Sequence, residues 1–360
     1  MNQNYHNQES NTQNPWVMIL IIILVMAVFF TGSVIYFRYF LKGNSFGNIF
    51  SNNNQIKTQV VSKLDGTTVD EDLAKRHPLA VMVENHPDAR PQSGLSKASI
   101  VYEAITEGGI TRFMAIFGPA DAPKIGPIRS ARTYFIDWLS EYNAYYAHVG
   151  GNLDALDQIK TDNILDLDQF SLGEPTYYRI ADATKAIEHT MYSNTTNLYQ
   201  AAKTKSYPQA SNFQALNFRQ PAPNPDSIQT ITINFSTSSY LVRWDYDAKT
   251  NTYLRTLAGS PHRDELSGPQ LAASNLIIQE VERWSAPTTI NEEGFAMKTI
   301  GTGNALVFID GKQIKATWKK TGLTDRTLFF DENGSEIKFI PGQFWYEIAP
   351  PEVFQQITIK

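Results

Sequence analysis

The residues able to do chemistry in this 360-residue chain crowd into one block, 84–132. It reads ENHPDARPQSGLSKASIVYEAITEGGITRFMAIF and, after a short loop, KIGPIRSAR. Four arginines, Arg90, Arg112, Arg129 and Arg132, stand there among Gly, Ser, Thr and Pro. A guanidinium fork holds a carboxylate or phosphate through two parallel hydrogen bonds. Loops of glycine and small hydroxyl residues let backbone N–H groups approach an anion. Arg129 and Arg132 also fall just before or inside the first turn of an expected helix, where the dipole adds positive potential. One reading is therefore an anion site. The other is a set of structural pairs with Glu84, Glu103 and Glu107, and the residues leave both open.

Glu103 and Glu107 are spaced so that a strand end could bring both to one pocket, as Mg²⁺ ligands or as acid and base. Ion pairing with Arg112 and Arg129 is the simpler expectation. His148 ends an expected strand just before Gly150-Gly151, at a plausible pocket lip, although a capped or core histidine would look the same. None of the six histidines has a metal-binding spacing. A site from His86, His148 and His189 would have to be assembled by the fold. We expect no resident cofactor or metal, with Mg²⁺ reserved for a catalytic alternative. Walker A and G-x-G-x-x-G patterns are absent. His262-Arg263-Asp264 lacks the downstream partners of a kinase catalytic loop.

The elements that must position these residues alternate between strand and helix. LAVMVEN (79–85), SIVYEAIT (99–106), TRFMAIFG (111–118) and AYYAHV (144–149) read as strands. Helices are expected over 131–142, 153–159, 182–189 and 195–204. This is an α/β domain with a mixed sheet, set at 66–220. The four prolines of 208–226 mark its end. Residues 221–360 read as a smaller, mostly antiparallel β-rich domain. Asp310-Gly311 and Asn333-Gly334 sit at hairpin turns, one helix is expected near 268–275, and Trp244, Trp284, Trp318 and Trp345 read as core.

Residues 1–15 are Asn/Gln-rich and expected to be disordered. Residues 16–37 form an uncharged apolar run long enough to span a membrane, with Trp16, Tyr36 and Tyr39 as interfacial anchors. A cleaved signal peptide fits poorly, because no basic segment precedes the run. Residues 38–65 read as a polar linker. Apolar residues make up 42% of the chain, enough for a sizeable core. A net charge of −5 argues against a nucleic-acid partner. The absence of cysteine excludes disulfides, thiol nucleophiles, thiolate metal sites and a Cys-linked lipid.

LAVMVENHPDARPQSGLSKASIVYEAITEGGITRF, IGPIRSAR, HVGG, SPHRDELSG, GTGNALVFIDGKQIKATWKK and PGQFWYEI closely resemble the YerB-like family of bacterial cell-surface lipoproteins. That family has two consecutive domains of unknown function, and the resemblance spans about 70–360. It implies a membrane-anchored extracytoplasmic protein. Family members usually carry a lipobox cysteine, which this chain lacks, so the helix at 16–37 would replace the lipid. Arg38 and Lys42 on the C-terminal flank argue for the opposite orientation by the positive-inside rule, and the resemblance overrules them. An anionic envelope ligand is the expected partner, with a protein partner as an option.

A second, weaker resemblance is to the LytR-CpsA-Psr phosphotransferases. Gly109-Ile110-Thr111-Arg112 before FMAIF, then IGPIRSART, then YNAYYAHVGG and a helix follow their order of elements. It implies that Arg112, Arg129 and Arg132 hold the pyrophosphate of a lipid-linked substrate. Ser130 replaces the aspartate that follows the loop arginine in that family, which puts catalysis in doubt.

Overall fold

The structure is a computed structural model that describes residues 15–43, 58–227, 229–266, 268–291 and 293–360. Residues 1–14 of the expected disordered segment and 44–57 of the expected linker lie outside the described residues. Two units are resolved by contacts, 1–57 and 58–360. In the first, helix α1 runs Pro15–Gly43. Its segment Trp16–Tyr36 is long and apolar enough to cross a membrane, and its described side chains are all exposed. At about 1.5 Å per residue, 21 residues match a hydrocarbon core of about 30 Å.

The second unit is organised by a ten-stranded mixed sheet. Its N-terminal half contributes β1 (Leu79–Glu84), β2 (Ile100–Ile105), β3 (Thr111–Phe117), β4 (Tyr145–His148) and β5 (Leu165–Asp168). Helix α2 (Thr133–Leu139) precedes β4, α3 (Leu153–Thr161) joins β4 to β5, and α4 is Thr195–Thr204. The C-terminal half contributes β6 (Asn275–Glu280), β7 (Gly301–Ile309), β8 (Lys312–Lys320), β9 (Leu328–Asp331) and β10 (Phe344–Ala349). Strand order is β9-β8-β7-β6-β10-β2-β3-β1-β4-β5. Pairs β6·β10, β10·β2, β1·β4 and β4·β5 are parallel and the rest antiparallel.

Every residue of β1, β2, β3 and β10 is buried, the pattern of a sheet covered on both faces. On one face, Val81, Val101, Phe113 and Trp345 pack with α4 and with the antiparallel six-stranded sheet of the C-terminal half. On the other, Met82, Tyr102, Met114 and Tyr346 pack with α2 and α3.

The sheet crosses the boundary expected near 220. Residues of 208–226 are themselves packed: Leu216 is buried and Phe218 bridges Phe339. Residues 58–65, expected to be linker, contain a short strand, Gln59–Val61, and place Leu64 in the core. Two expected helices are absent. In 182–189 only Ile187–His189 is a 3₁₀ turn. There Asp182 accepts hydrogen bonds from Thr184 N and Oγ1 at 2.9 and 2.6 Å, an Asx turn that competes with helix formation. In 268–275, Ala272–Ala273 and the start of β6 are extended. The β-branched, fully buried Ile277 and Ile278 fit a central strand. At the β7–β8 hairpin both Asp310 (φ 56°) and Gly311 (φ 71°) are left-handed, as a type I′ turn needs. Trp244, Trp318 and Trp345 are core, whereas Trp284 is half exposed.

Candidate functional site

The arginine-rich block folds onto the edge of the sheet where β1, β2, β4 and β5 end and β3 begins. In open α/β sheets, ligands bind outside the carboxyl ends of the strands. Register pairs Glu84 at the end of β1 with Arg112 at the start of β3. Strand alternation turns both side chains toward the helix-covered face, with Met82 and Met114.

The IGPIRSAR segment crosses this edge as fixed backbone. Glu84 N donates to Pro127 O at 2.9 Å, and Arg129 N to Met82 O at 3.0 Å. It is then stitched to the HVGG turn: Val149 N donates to Arg129 O at 3.1 Å and Ala131 N to Gly150 O at 2.9 Å. His148 is buried beneath that turn. Its Nδ1 meets Gly150 O at 2.8 Å and its Nε2 meets Asp166 Oδ1 at 3.0 Å. Asp168 Oδ1 accepts from Gly150 N at 2.9 Å. His148 therefore braces the loop that carries the arginines and is not at a pocket lip.

Arg112, Arg129, Arg132 and Glu107 come together here. Arg132 grips Glu107 bidentately, Nε to Oε1 and Nη2 to Oε2, both 2.6 Å. Burial opposes ionisation of Glu107, but the Arg132 fork outweighs it and its pKa is lowered. Arg129 Nε lies 3.1 Å from Glu84 Oε1. Arg112 is different. Its Nη1 donates to Ser130 O at 2.9 Å, it is only 7% exposed, and it has no carboxylate ion pair among the described residues. Burial, and then the neighbouring Arg132, lower its pKa to about 10. Three guanidinium groups face two carboxylates, Glu84 and Glu107, which leaves one excess positive charge. The Tyr146 hydroxyl is buried with no well-formed hydrogen bond and feels both Arg112 and Arg132.

Arg90 and Glu103 belong elsewhere, to the face that meets the six-stranded sheet. Arg90 donates to Asn85 Oδ1 (3.1 Å), Asn85 O (3.0 Å) and Ser239 O (2.8 Å), and lies over the Tyr240 ring. Glu103 accepts from Thr111 Oγ1 at 2.6 Å, from Asn85 Nδ2 at 3.2 Å, and from Arg255 Nη2. Glu347 is its register partner on β10. It accepts from Trp244 Nε1 at 2.7 Å and lies 3.7 Å from Arg255 Nε. His262 Nδ1 meets Arg255 Nη1 at 2.6 Å, and its Nε2 meets Gln92 Oε1 at 2.8 Å. The carboxylates pair with arginines, as expected, but the partners are Arg255 and Arg132. Mg²⁺ does not fit this arrangement: Glu103 faces away from the cluster and both oxygens of Glu107 are taken by Arg132.

Arg255, Glu347 and the Glu84–His189 contact join the site only in the folded chain. The first two carried a signal, a charge at an inward-facing position of an apolar strand (TYLRTL, FWYEIA). Glu84 and His189 are far apart in sequence, and nothing in either segment announces the contact.

Comparison with known proteins agrees with this architecture. The profile described as "Protein of unknown function (DUF3048) N-terminal domain" matches residues 64–208, and the corresponding C-terminal domain matches 231–346. The protein named "Putative lipoprotein YerB" from Bacillus subtilis (strain 168) is 31% identical over 291 residues, 80% of this chain and 85% of its own. The crystal structure of YerB from Bacillus subtilis aligns with a TM-score of 0.75 at 28% identity, over 84% of this chain and 99% of that one. With the two domain profiles side by side and that relative matched across most of both lengths, the chain belongs to the YerB-like family.

Proposed function

We propose that this protein is held at a membrane by residues 16–37, with its folded unit outside the cytoplasm, and binds an anionic, phosphate-bearing envelope ligand at the Arg112–Arg129–Arg132 cluster. The observation that carries this reading is Arg112, a buried guanidinium with no carboxylate partner beside two that have one. Glu107, already gripped by Arg132, acts on Arg112 only from beyond contact. A buried charge with no contacting counter-ion is costly, and a phosphate oxygen would relieve that cost. The buried Tyr146 hydroxyl, which makes no well-formed hydrogen bond, adds a donor next to the same groups. An extracytoplasmic place is supported by the lipoprotein relative, with α1 in the role of its lipid.

The test is thermal unfolding of the full chain in detergent with pyrophosphate, a short prenyl diphosphate or an anionic glycan, each with and without Mg²⁺. A ligand of the folded state at 100 times its Kd stabilises by about 2.7 kcal/mol. A rise in Tm with a diphosphate that Arg129→Ala removes is the expected result. No shift with any phosphate-bearing ligand would end the proposal.

A further inference from the structure

Beyond the arginine cluster, a second group of ligating side chains lies on the other side of Glu84. We propose that His86, Asp88 and His189 form a site for a divalent transition metal such as zinc, with Glu84 as the carboxylate that orients His189. One ligand atom from each of the three residues lies within 4.8 Å of the others. The His86 and His189 rings are stacked, parallel within 8° with centroids 5.0 Å apart, so the His86 ring must turn out of the stack to aim a lone pair at a shared ion. His189 is buried, and its Nδ1 meets Glu84 Oε2 at 2.8 Å. With Nδ1 turned to the carboxylate, Nε2 is the ring nitrogen left to face an ion, the carboxylate–histidine arrangement that supports metal ligands.

Metal and ligand chemistry agree. Two imidazoles and one carboxylate suit zinc and its neighbours better than calcium or magnesium. Ligands about 2.0–2.1 Å from a tetrahedral zinc stand about 3.4 Å apart, so the widest pair must close by up to about 1.4 Å. Its exposed side can supply that movement. His86 caps a single 3₁₀ turn, Pro87–Ala89, that contains Asp88, and Asp88 N reaches His86 Nδ1 only at 3.3 Å. Three protein ligands would leave a coordination position open. Glu84 Oε1 faces Arg129 while Oε2 faces His189, so one carboxylate separates the two sites. The metal site does not depend on the anion reading.

The experiment is zinc titration of the full, untagged chain in detergent, by calorimetry and equilibrium dialysis. One Zn²⁺ per chain is expected, with affinity falling at least tenfold in His86→Ala, His189→Ala and Asp88→Asn. Glu84→Gln should weaken binding by about 10–100-fold, as loss of an orienting carboxylate does. His86 and Asp88 are outside the core, so their variants test the site even if His189→Ala fails to fold. Arg129→Ala should retain zinc, which separates this site from the anion cluster. Zinc uptake that is absent, or unchanged in both His86→Ala and Asp88→Asn, overturns the proposal.

Discussion

Replacing Glu347 with glutamine should make the protein more stable as pH rises. Glu347 and Glu103 are neighbours on adjacent parallel strands, both fully buried, with one arginine, Arg255, between them. Arg255 Nη2 donates to Glu103, while its Nε is 3.7 Å from Glu347 with no hydrogen bond. Burial, then the charge of Glu103, push the Glu347 pKa well above its ordinary 4.5. Its Oε2 is buried without an N–H or O–H donor facing it, which is where the retained proton fits. Folding therefore binds a proton. Below about pH 4.5 both states carry it and the wild type suffers no penalty. Above that, the unfolded chain releases the proton and the native state keeps it, so stability falls as pH rises toward the folded pKa. The slope is about 1.4 kcal/mol per pH unit, or about 2.7 kcal/mol across two units within that window. Glutamine keeps the acceptor for Trp244 and a donor toward Glu103, so at low pH it should cost less than about 1 kcal/mol. Urea unfolding of both proteins across the pH range measures the difference, in which all other titrations cancel. A gap that stays constant, or that grows in favour of wild type, would refute the shared-proton reasoning.

Three further outcomes are expected. Glu141 accepts from Arg326 (2.7 Å), Thr327 N (3.0 Å) and Thr327 Oγ1 (2.6 Å), with Lys320 at 3.3 Å. Glu141→Ala leaves two buried cations unpaired and should cost about 3–5 kcal/mol by urea unfolding; a loss below about 1 kcal/mol would show that they escape to water. The chain has no cysteine, so replacing the exposed Lys160 of α3 (Lys160→Cys) provides a single thiol. It should react with a membrane-impermeant maleimide in intact cells, and labelling only after lysis would place the folded unit inside. Arg112→Lys keeps the charge but loses the fork, so it should weaken diphosphate-dependent stabilisation at least tenfold in apparent affinity while leaving zinc binding unchanged.

Local patterning in the sequence determined the strands at 79–85, 99–106, 111–118 and 144–149, the apolar helix and the β-rich second half. Period-two and period-3.6 signals and turn dipeptides act over a few residues, so they are legible in a single chain. The long family motifs were equally plain, and they placed the arginines in one block. Only the tertiary structure decided that β10, from the end of the chain, lies between β6 and β2 and welds the two halves into one sheet. That choice depends on which buried faces complement one another, and no local pattern encodes it. The same non-local packing chose the ion-pair partners. Glu107 took Arg132 and Glu103 took Arg255, 152 residues away, while Arg112 kept only a carbonyl. It also brought His189 to His86, from opposite ends of the α/β half, and left His148 to brace a loop. Residue types in a sequence list the available chemistry. Which charges stay unpaired, and so can meet a ligand, is set by distances that exist only after folding.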